Sequence, residues 1–121
     1  MISKETEELV KKFRDDRNWG QFHNPKDLAI SLSLEASELL EIFQWSADDL
    51  ECKEKMSKTK EELADVLCYG ILLADRCGLD TDEIIREKIK RNEEKYPVDK
   101  AYGSKAKYTE LKIIASSKDA K

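Results

Sequence analysis

Two pairs of carboxylates are the side chains in this sequence whose types and spacing point to chemistry. Glu35 and Glu38 lie in a largely apolar stretch from Leu28 to Trp45, and Glu62 and Asp65 lie in a second from Thr59 to Gly78. Both stretches read as helices, and residues three apart share one helix face. At roughly 100° per residue, Glu35 and Glu38 fall in the arc of Leu28, Leu39 and Ile42. Glu62 falls in the arc of Val66, Tyr69 and Leu73, with Asp65 beside it. The acids are therefore expected on buried faces. Uncompensated buried carboxylates are costly, and four together repel one another, so something positive must meet them. A divalent metal ion is the expected partner, with Glu35, Glu38, Glu62 and Asp65 as its ligands.

Four carboxylates with no histidine at matching spacing form a hard-oxygen donor set. A di-iron carboxylate bundle would carry Glu-x-x-His on two helices. The pairs here are Glu-x-x-Glu and Glu-x-x-Asp, which favours Mg²⁺, with Mn²⁺ possible, over iron or zinc. Mg²⁺ usually shares its coordination shell with substrate phosphates and stabilises charge on attacking and leaving oxygens. A second constellation fits such a ligand. Trp19-Gly20-Gln21-Phe22-His23 brings two aromatics, an amide and the single histidine into five residues. It reads either as a turn tucking Trp19 and Phe22 under a bundle or as a base-stacking pocket. Lys88 suits a phosphate, and it recurs with Asn92 and Tyr96 at four-residue intervals on one helix face. Spacing and composition thus reach Mg²⁺-dependent phosphoryl chemistry on a small nucleotide-like ligand.

The elements that must position these groups are all helical. There are four Gly, two Pro and no convincing strand alternation. Ser3 can cap a first helix ending near Asn18, with Leu9 and Phe13 as its apolar seam. Asn24-Pro25 opens a second helix that runs to about Gln44. A short, charged third helix is expected from Asp48 to about Met56. Thr59 is expected to cap a fourth helix, with Glu62 completing a capping box. That cap competes with the metal for Glu62; Asp65, which a cap does not need, tips the balance to the metal. Cys77-Gly78 stops the fourth helix. A fifth is expected from Asp82 to Lys95, ended by Tyr96-Pro97. Residues 1–98 form the expected domain and 99–121 a tail, disordered near its end. Helices two and four resemble each other, and Ile30, Leu34 and Leu40 lie away from the acid-bearing arc, so the all-α bundle of four to five helices is expected to be completed by self-association.

Composition bounds the function classes. Charged residues make up 40% of the 121, yet the net charge is only −4, with both signs interleaved. That excludes the basic footprint of a duplex nucleic-acid binder. No apolar run approaches the ~18 residues of a membrane span, and the N-terminus lacks an apolar leader segment. Cys52, Cys68 and Cys77 are odd in number and lack metal-site spacing, as expected of free thiols in a reducing cytoplasm.

Four ordered motifs resemble a known family: Gln21-Phe22-His23-Asn24-Pro25; Leu34-Glu35-Ala36-Ser37-Glu38-Leu39 through Phe43-Gln44-Trp45; Glu61-Glu62-Leu63-Ala64-Asp65-Val66-Leu67; and Asn92-Glu93-Glu94-Lys95-Tyr96-Pro97-Val98. Together with Lys107-Tyr108-Thr109-Glu110-Leu111 they are similar to the MazG-like all-α nucleoside triphosphate pyrophosphohydrolases, and most to the dCTP pyrophosphatase branch. The resemblance implies cleavage of a (d)NTP, dCTP or a related pyrimidine, between the α and β phosphates. By motif match it implies Mg²⁺ on Glu35, Glu38, Glu62 and Asp65, and a nucleoside pocket from Trp19, Gly20, Gln21, Phe22 and His23 with Trp45 and Tyr69. It implies phosphate contacts from Lys88 and Asn92, and a homodimer or dimer of dimers. Leu34 stands where the general motif has a further Glu, which leaves Glu38 to orient the water. Val10 stands where the dCTP branch tends to carry a His. The competing reading is a non-catalytic helical interaction module, which explains the amphipathic helices but not four acids on two apolar faces.

Overall fold

The computed structural model describes residues 2–105, which contain five helices and no strand: α1 (Lys4–Asp16), α2 (Pro25–Glu41), α3 (Met56–Arg76), α4 (Thr81–Lys95) and α5 (Val98–Ala101). None of them is long and apolar enough to cross a membrane. The tail from 106 onward, including Lys107 to Leu111, lies outside the described residues.

The chain divides into two compact units, at residues 80 and 81. In the first, local chemistry sets the helix starts. The Ser3 hydroxyl accepts from the Thr6 amide at 3.2 Å, and the Asn24 side chain accepts from the Asp27 amide at 2.8 Å, with Pro25 in the first turn of α2. Each cap satisfies an amide that would otherwise lack a partner. α3 ends where Gly78 takes a φ of +68°, which lets Leu79 N–H reach the Ala74 carbonyl at 2.8 Å and Gly78 N–H reach Asp75 at 3.1 Å. A side chain at that left-handed position would be strained.

α2 and α3 form the main packing pair. They run antiparallel, since the Ile42 carbonyl at the end of α2 meets Lys55 just before α3, while Glu35 lies beside Asp65 further along. Leu28 of α2, Ile42, Cys52 and Ile71, Leu72 and Ala74 of α3 are buried. α1 is fastened across α3 by Arg14, whose Nη1 donates to Asp75 Oδ2 at 2.7 Å, and by Lys11, 3.4 Å from Asp75 Oδ1. Arg76 Nε also donates to the His23 carbonyl at 3.1 Å, tying the aromatic loop to the end of α3.

Two expected elements differ. The charged helix over 48–56 does not form. Instead Asp49 Oδ1 accepts from the amides of Glu51 and Cys52, and Ala47 and Cys52 take positive φ, leaving turns and a single 3₁₀ turn at Lys53–Lys55. As a result α3 starts at Met56, and Thr59 sits inside it, donating its hydroxyl to the Lys55 carbonyl at 3.2 Å. Thr59 is not a cap, and the capping role for Glu62 goes with it.

In the second unit, α4 is largely exposed and carries an Asp82–Arg86 pair at 2.9 Å one turn apart. The Tyr96 amide closes its end on the Asn92 carbonyl at 2.8 Å, and Pro97 precedes the single turn of α5.

Candidate active site

The antiparallel packing of α2 and α3 brings their acid pairs together. Glu35, Glu62 and Asp65 each offer a carboxylate oxygen, and these atoms all lie within 4.8 Å of one another. Glu62 is only 5% exposed and Glu35 half-buried. Asp65 and Glu38 are exposed, so the expectation that all four acids are buried is corrected for these two. Each lines a different cavity, where water carries part of the charge that a core position would not tolerate.

Glu62 has two different oxygens. Its Oε1 accepts from Lys58 Nζ at 2.9 Å, one helical turn earlier. Its Oε2 is buried without a hydrogen-bond partner among the described residues, as is Oε2 of Glu35. Buried acceptors are seldom left orphaned. Two carboxylates with such an oxygen, gathered with Asp65, fit a divalent cation with hard-oxygen preference.

The acids also divide by proton affinity. Hydrogen bonding to Glu62 and Glu35, with their repulsion, pushes the Glu38 carboxyl up to about 7. Lys58 hydrogen-bonds Glu62 and holds its carboxyl below the usual range. Neighbouring carboxylates that cannot all ionise separate in this way. Near neutral pH, Glu38 is the acid poised to take or release a proton.

A cavity of about 460 Å³ adjoins the acids. Glu35 and Asp65 form one wall and Trp19, His23, Tyr69 and Phe13 form others. The Phe13 and Trp19 rings meet edge to face at 5.6 Å, and the Arg17 guanidinium lies 3.7 Å over Phe13, which fixes this wall. His23 Nδ1 is buried with no partner among the described residues, and burial together with Arg14 holds its pKa below 6.5. Both effects disfavour the charged ring. Cys68 also lines the cavity, and burial pushes its thiol up, so it stays protonated.

The other residues singled out from the sequence stand elsewhere. Gly20, Gln21 and Phe22 belong to the 3₁₀ turn outside this cavity, with Phe22 65% exposed and the Gln21 amide donating to the Asn18 carbonyl at 3.0 Å. Trp45 is 88% exposed on the turn after α2. Lys88, exposed, and Asn92, half-buried, lie one turn apart on α4 in the second compact unit. Lys58 was not singled out from the sequence. Its signal is the four-residue spacing to Glu62, which becomes visible only when the helix is started at Met56 rather than Thr59.

Comparison with known proteins gives concordant findings. The model of the MazG-like family matches residues 30–111. Human dCTP pyrophosphatase 1 is 39% identical over 116 residues, covering 92% of this chain and 68% of its own. The mouse protein of the same name is 38% identical over 108 residues, covering 85% of this chain, and the match spans 64% of that relative's length. The crystal structure of a pyrophosphatase from Archaeoglobus fulgidus superposes with a TM-score of 0.70 at 41% identity, over 80% of this chain and 96% of that one.

Proposed function

Since the chain belongs to the MazG-like family, we propose that it is a nucleoside triphosphate pyrophosphohydrolase acting on dCTP or a related pyrimidine nucleotide. Water attacks the α phosphorus, the bond from that phosphorus to the α,β-bridging oxygen breaks, and a nucleoside monophosphate and pyrophosphate result. One juxtaposition supports this above all: Glu35 and Asp65 of the acid cluster line the same cavity as Trp19, His23 and Tyr69. A nucleoside held by those rings has its α phosphate nearest the acids.

Glu35, Glu38, Glu62 and Asp65 are the residues that would hold Mg²⁺, or Mn²⁺, which when bound offsets phosphate charge and makes the α phosphorus more electrophilic. Trp19 and Tyr69 offer ring faces for the base, and His23 offers a hydrogen-bonding nitrogen. Glu38, exposed beside the acid cluster, orients the attacking water and accepts its proton. Lys88 and Asn92, one turn apart on α4, are the residues offered for the distal phosphates, which depart as pyrophosphate.

The active form is a homodimer or homotetramer. Ile30, Leu34 and Leu40 of α2 are 48%, 60% and 68% exposed, a row of apolar surface that symmetric association would cover. Trp45 and Phe22 stand outside the cavity of a single chain, and in such an assembly they can complete a pocket shared between subunits. Residues 1–98 form the catalytic domain and 99–121 its tail. The free thiols Cys52, Cys68 and Cys77 suit a reducing cytoplasm.

Pyrophosphate release from a nucleotide panel, with and without Mg²⁺, tests the activity. Hydrolysis of dCTP in ¹⁸O-labelled water is expected to place the label in dCMP and leave pyrophosphate unlabelled. Label in the pyrophosphate, or dCDP with orthophosphate as products, would refute the order of the pocket. Failure to turn over any triphosphate would favour a helical interaction module.

A further inference from the structure

Beside Glu62 the structure has a second and larger cavity, about 780 Å³, which shares no lining residue with the aromatic one. Glu38, Glu41, Glu54 and Glu62 line it against only two lysines, Lys55 and Lys58. An excess of acids makes this space unwelcoming to an anion and favourable to a cation. The two lysines are engaged differently. Lys55 Nζ points to the Ile42 carbonyl at 3.5 Å, a structural tie across the helix connection. Lys58 Nζ sits 2.9 Å from Oε1 of Glu62, the most buried acid of the cluster. Lys58 itself is 60% exposed, and its ammonium is placed by this pair with Glu62.

We propose that Lys58 is a tethered counter-ion which neutralises Glu62 in the metal-free protein and competes with the divalent cation for that carboxylate. This rests on Glu62 being a metal ligand. Two positive charges cannot share one buried carboxylate at contact distance without repelling each other. With the cation at the free oxygen of Glu62 and the ammonium on Oε1, that repulsion drives the ammonium out into the acid-lined cavity, where Glu41 and Glu54 can receive it. The long, exposed lysine stem permits this at little cost. The device keeps the empty site folded and sets its metal affinity below what the carboxylates alone would give.

The consequence has an unusual sign, because removing a charged side chain from the site should strengthen binding. Mn²⁺ and Mg²⁺ affinities would be measured by isothermal titration calorimetry on the wild type and on Lys58→Met, Lys58→Arg, Lys60→Met and Glu62→Gln, each first checked for wild-type helicity. Lys58→Met should bind the metal roughly two- to fivefold more tightly, the range expected when an ion pair of a solvent-exposed lysine no longer has to be broken. Lys58→Arg keeps the pair and should stay within about twofold of wild type. Lys60→Met removes an equal charge from the same helix away from Glu62 and should also stay within about twofold. Glu62→Gln should bind weakly. Unchanged or weaker binding by Lys58→Met, beside a loss in Glu62→Gln, would overturn the competition and leave the metal site standing. Equal gains in Lys58→Met and Lys60→Met would show a mere effect of net charge and would also overturn it. Absence of binding by both the wild type and Lys58→Met at millimolar metal would overturn the metal site and the competition together.

Discussion

Replacing Asp75 by alanine should loosen α1 from α3, and with it one wall of the aromatic cavity. Asp75 takes Arg14 at 2.7 Å on one oxygen and Lys11 at 3.4 Å on the other. The Arg14 side chain is 15% exposed and that of Asp75 33%, so the pair is neither a surface contact nor a core one. Exposed pairs contribute about 0–1 kcal/mol, and breaking a fully buried one costs about 3–5. An intermediate cost of about 2 kcal/mol follows. With unfolding entropy of about 2.1 cal/mol/K per residue, a chain of this size has roughly 0.25 kcal/mol/K, so the melting temperature should fall by about 8 °C. The pH dependence provides an internal control. Arg14 and Lys11 hold the Asp75 carboxyl below its ordinary value of 3.8 in the folded protein. A depressed carboxylate stabilises fully above its unfolded pKa and loses that contribution as pH falls through the folded one. The gap between wild type and Asp75→Ala should therefore be constant from about pH 8 to 5, and shrink as the pH falls below 3.8 toward the lower folded value. Circular-dichroism melts at fixed protein concentration measure it. Because Val10 and Phe13 of α1 line the cavity, KM for the nucleotide should rise as well. A gap under about 2 °C at pH 7, or one undiminished at pH 3, would refute the bridge as the fastener of α1.

Glu38→Gln and Asp65→Asn should each abolish turnover at saturating Mg²⁺ while preserving the helical spectrum, since neutralising one of several repelling carboxylates does not harm the metal-free fold; activity within tenfold of wild type would remove these residues from the site. Trp19→Ala should weaken nucleotide binding by about 1–3 kcal/mol in calorimetry while inorganic triphosphate binding stays the same, as base stacking requires. Equal loss for both ligands would make Trp19 a packing residue. Sedimentation equilibrium at micromolar concentration should give a dimer or tetramer, and Leu34→Glu should shift it toward monomer; a wild type that is monomeric and active would overturn the proposed assembly.

The acid pairs were legible because helical periodicity alone places residues three apart on one face, whichever helix boundary is chosen. Ser3, Asn24-Pro25 and Gly78 were legible too, because a cap is a local hydrogen-bonding problem solved by a few residue types. Thr59 misled for the same reason. Its spacing to Glu62 satisfies a capping pattern, but the Cys52 to Lys55 segment had already turned the chain toward helix three residues earlier. The expected helix over 48–56 failed because Asp49 spends its carboxylate on the amides of Glu51 and Cys52, a competition that composition does not reveal. The exposure of Glu38 and Asp65 depends on where the α2–α3 pair opens, and that is a tertiary fact. The cavity between α1 and α3 was half visible: the aromatics of the 19–23 loop stood out, whereas Phe13 looked like an ordinary seam residue until Arg14 and Lys11 carried α1 across α3.

The Ile42 carbonyl is reached both by Cys52 Sγ, at 3.8 Å, and by Lys55 Nζ, at 3.5 Å. These contacts clasp the base of the excursion at 43–51, most of which is exposed. Length added inside the clasp would lengthen only the excursion, and length added outside it, between Lys55 and Glu62, would turn the α3 acids about 100° per residue away from those of α2. The excursion is thus a tolerant insertion point, where a homologous chain can carry a longer connection, or an engineer a tag, without disturbing the alignment of the four carboxylates.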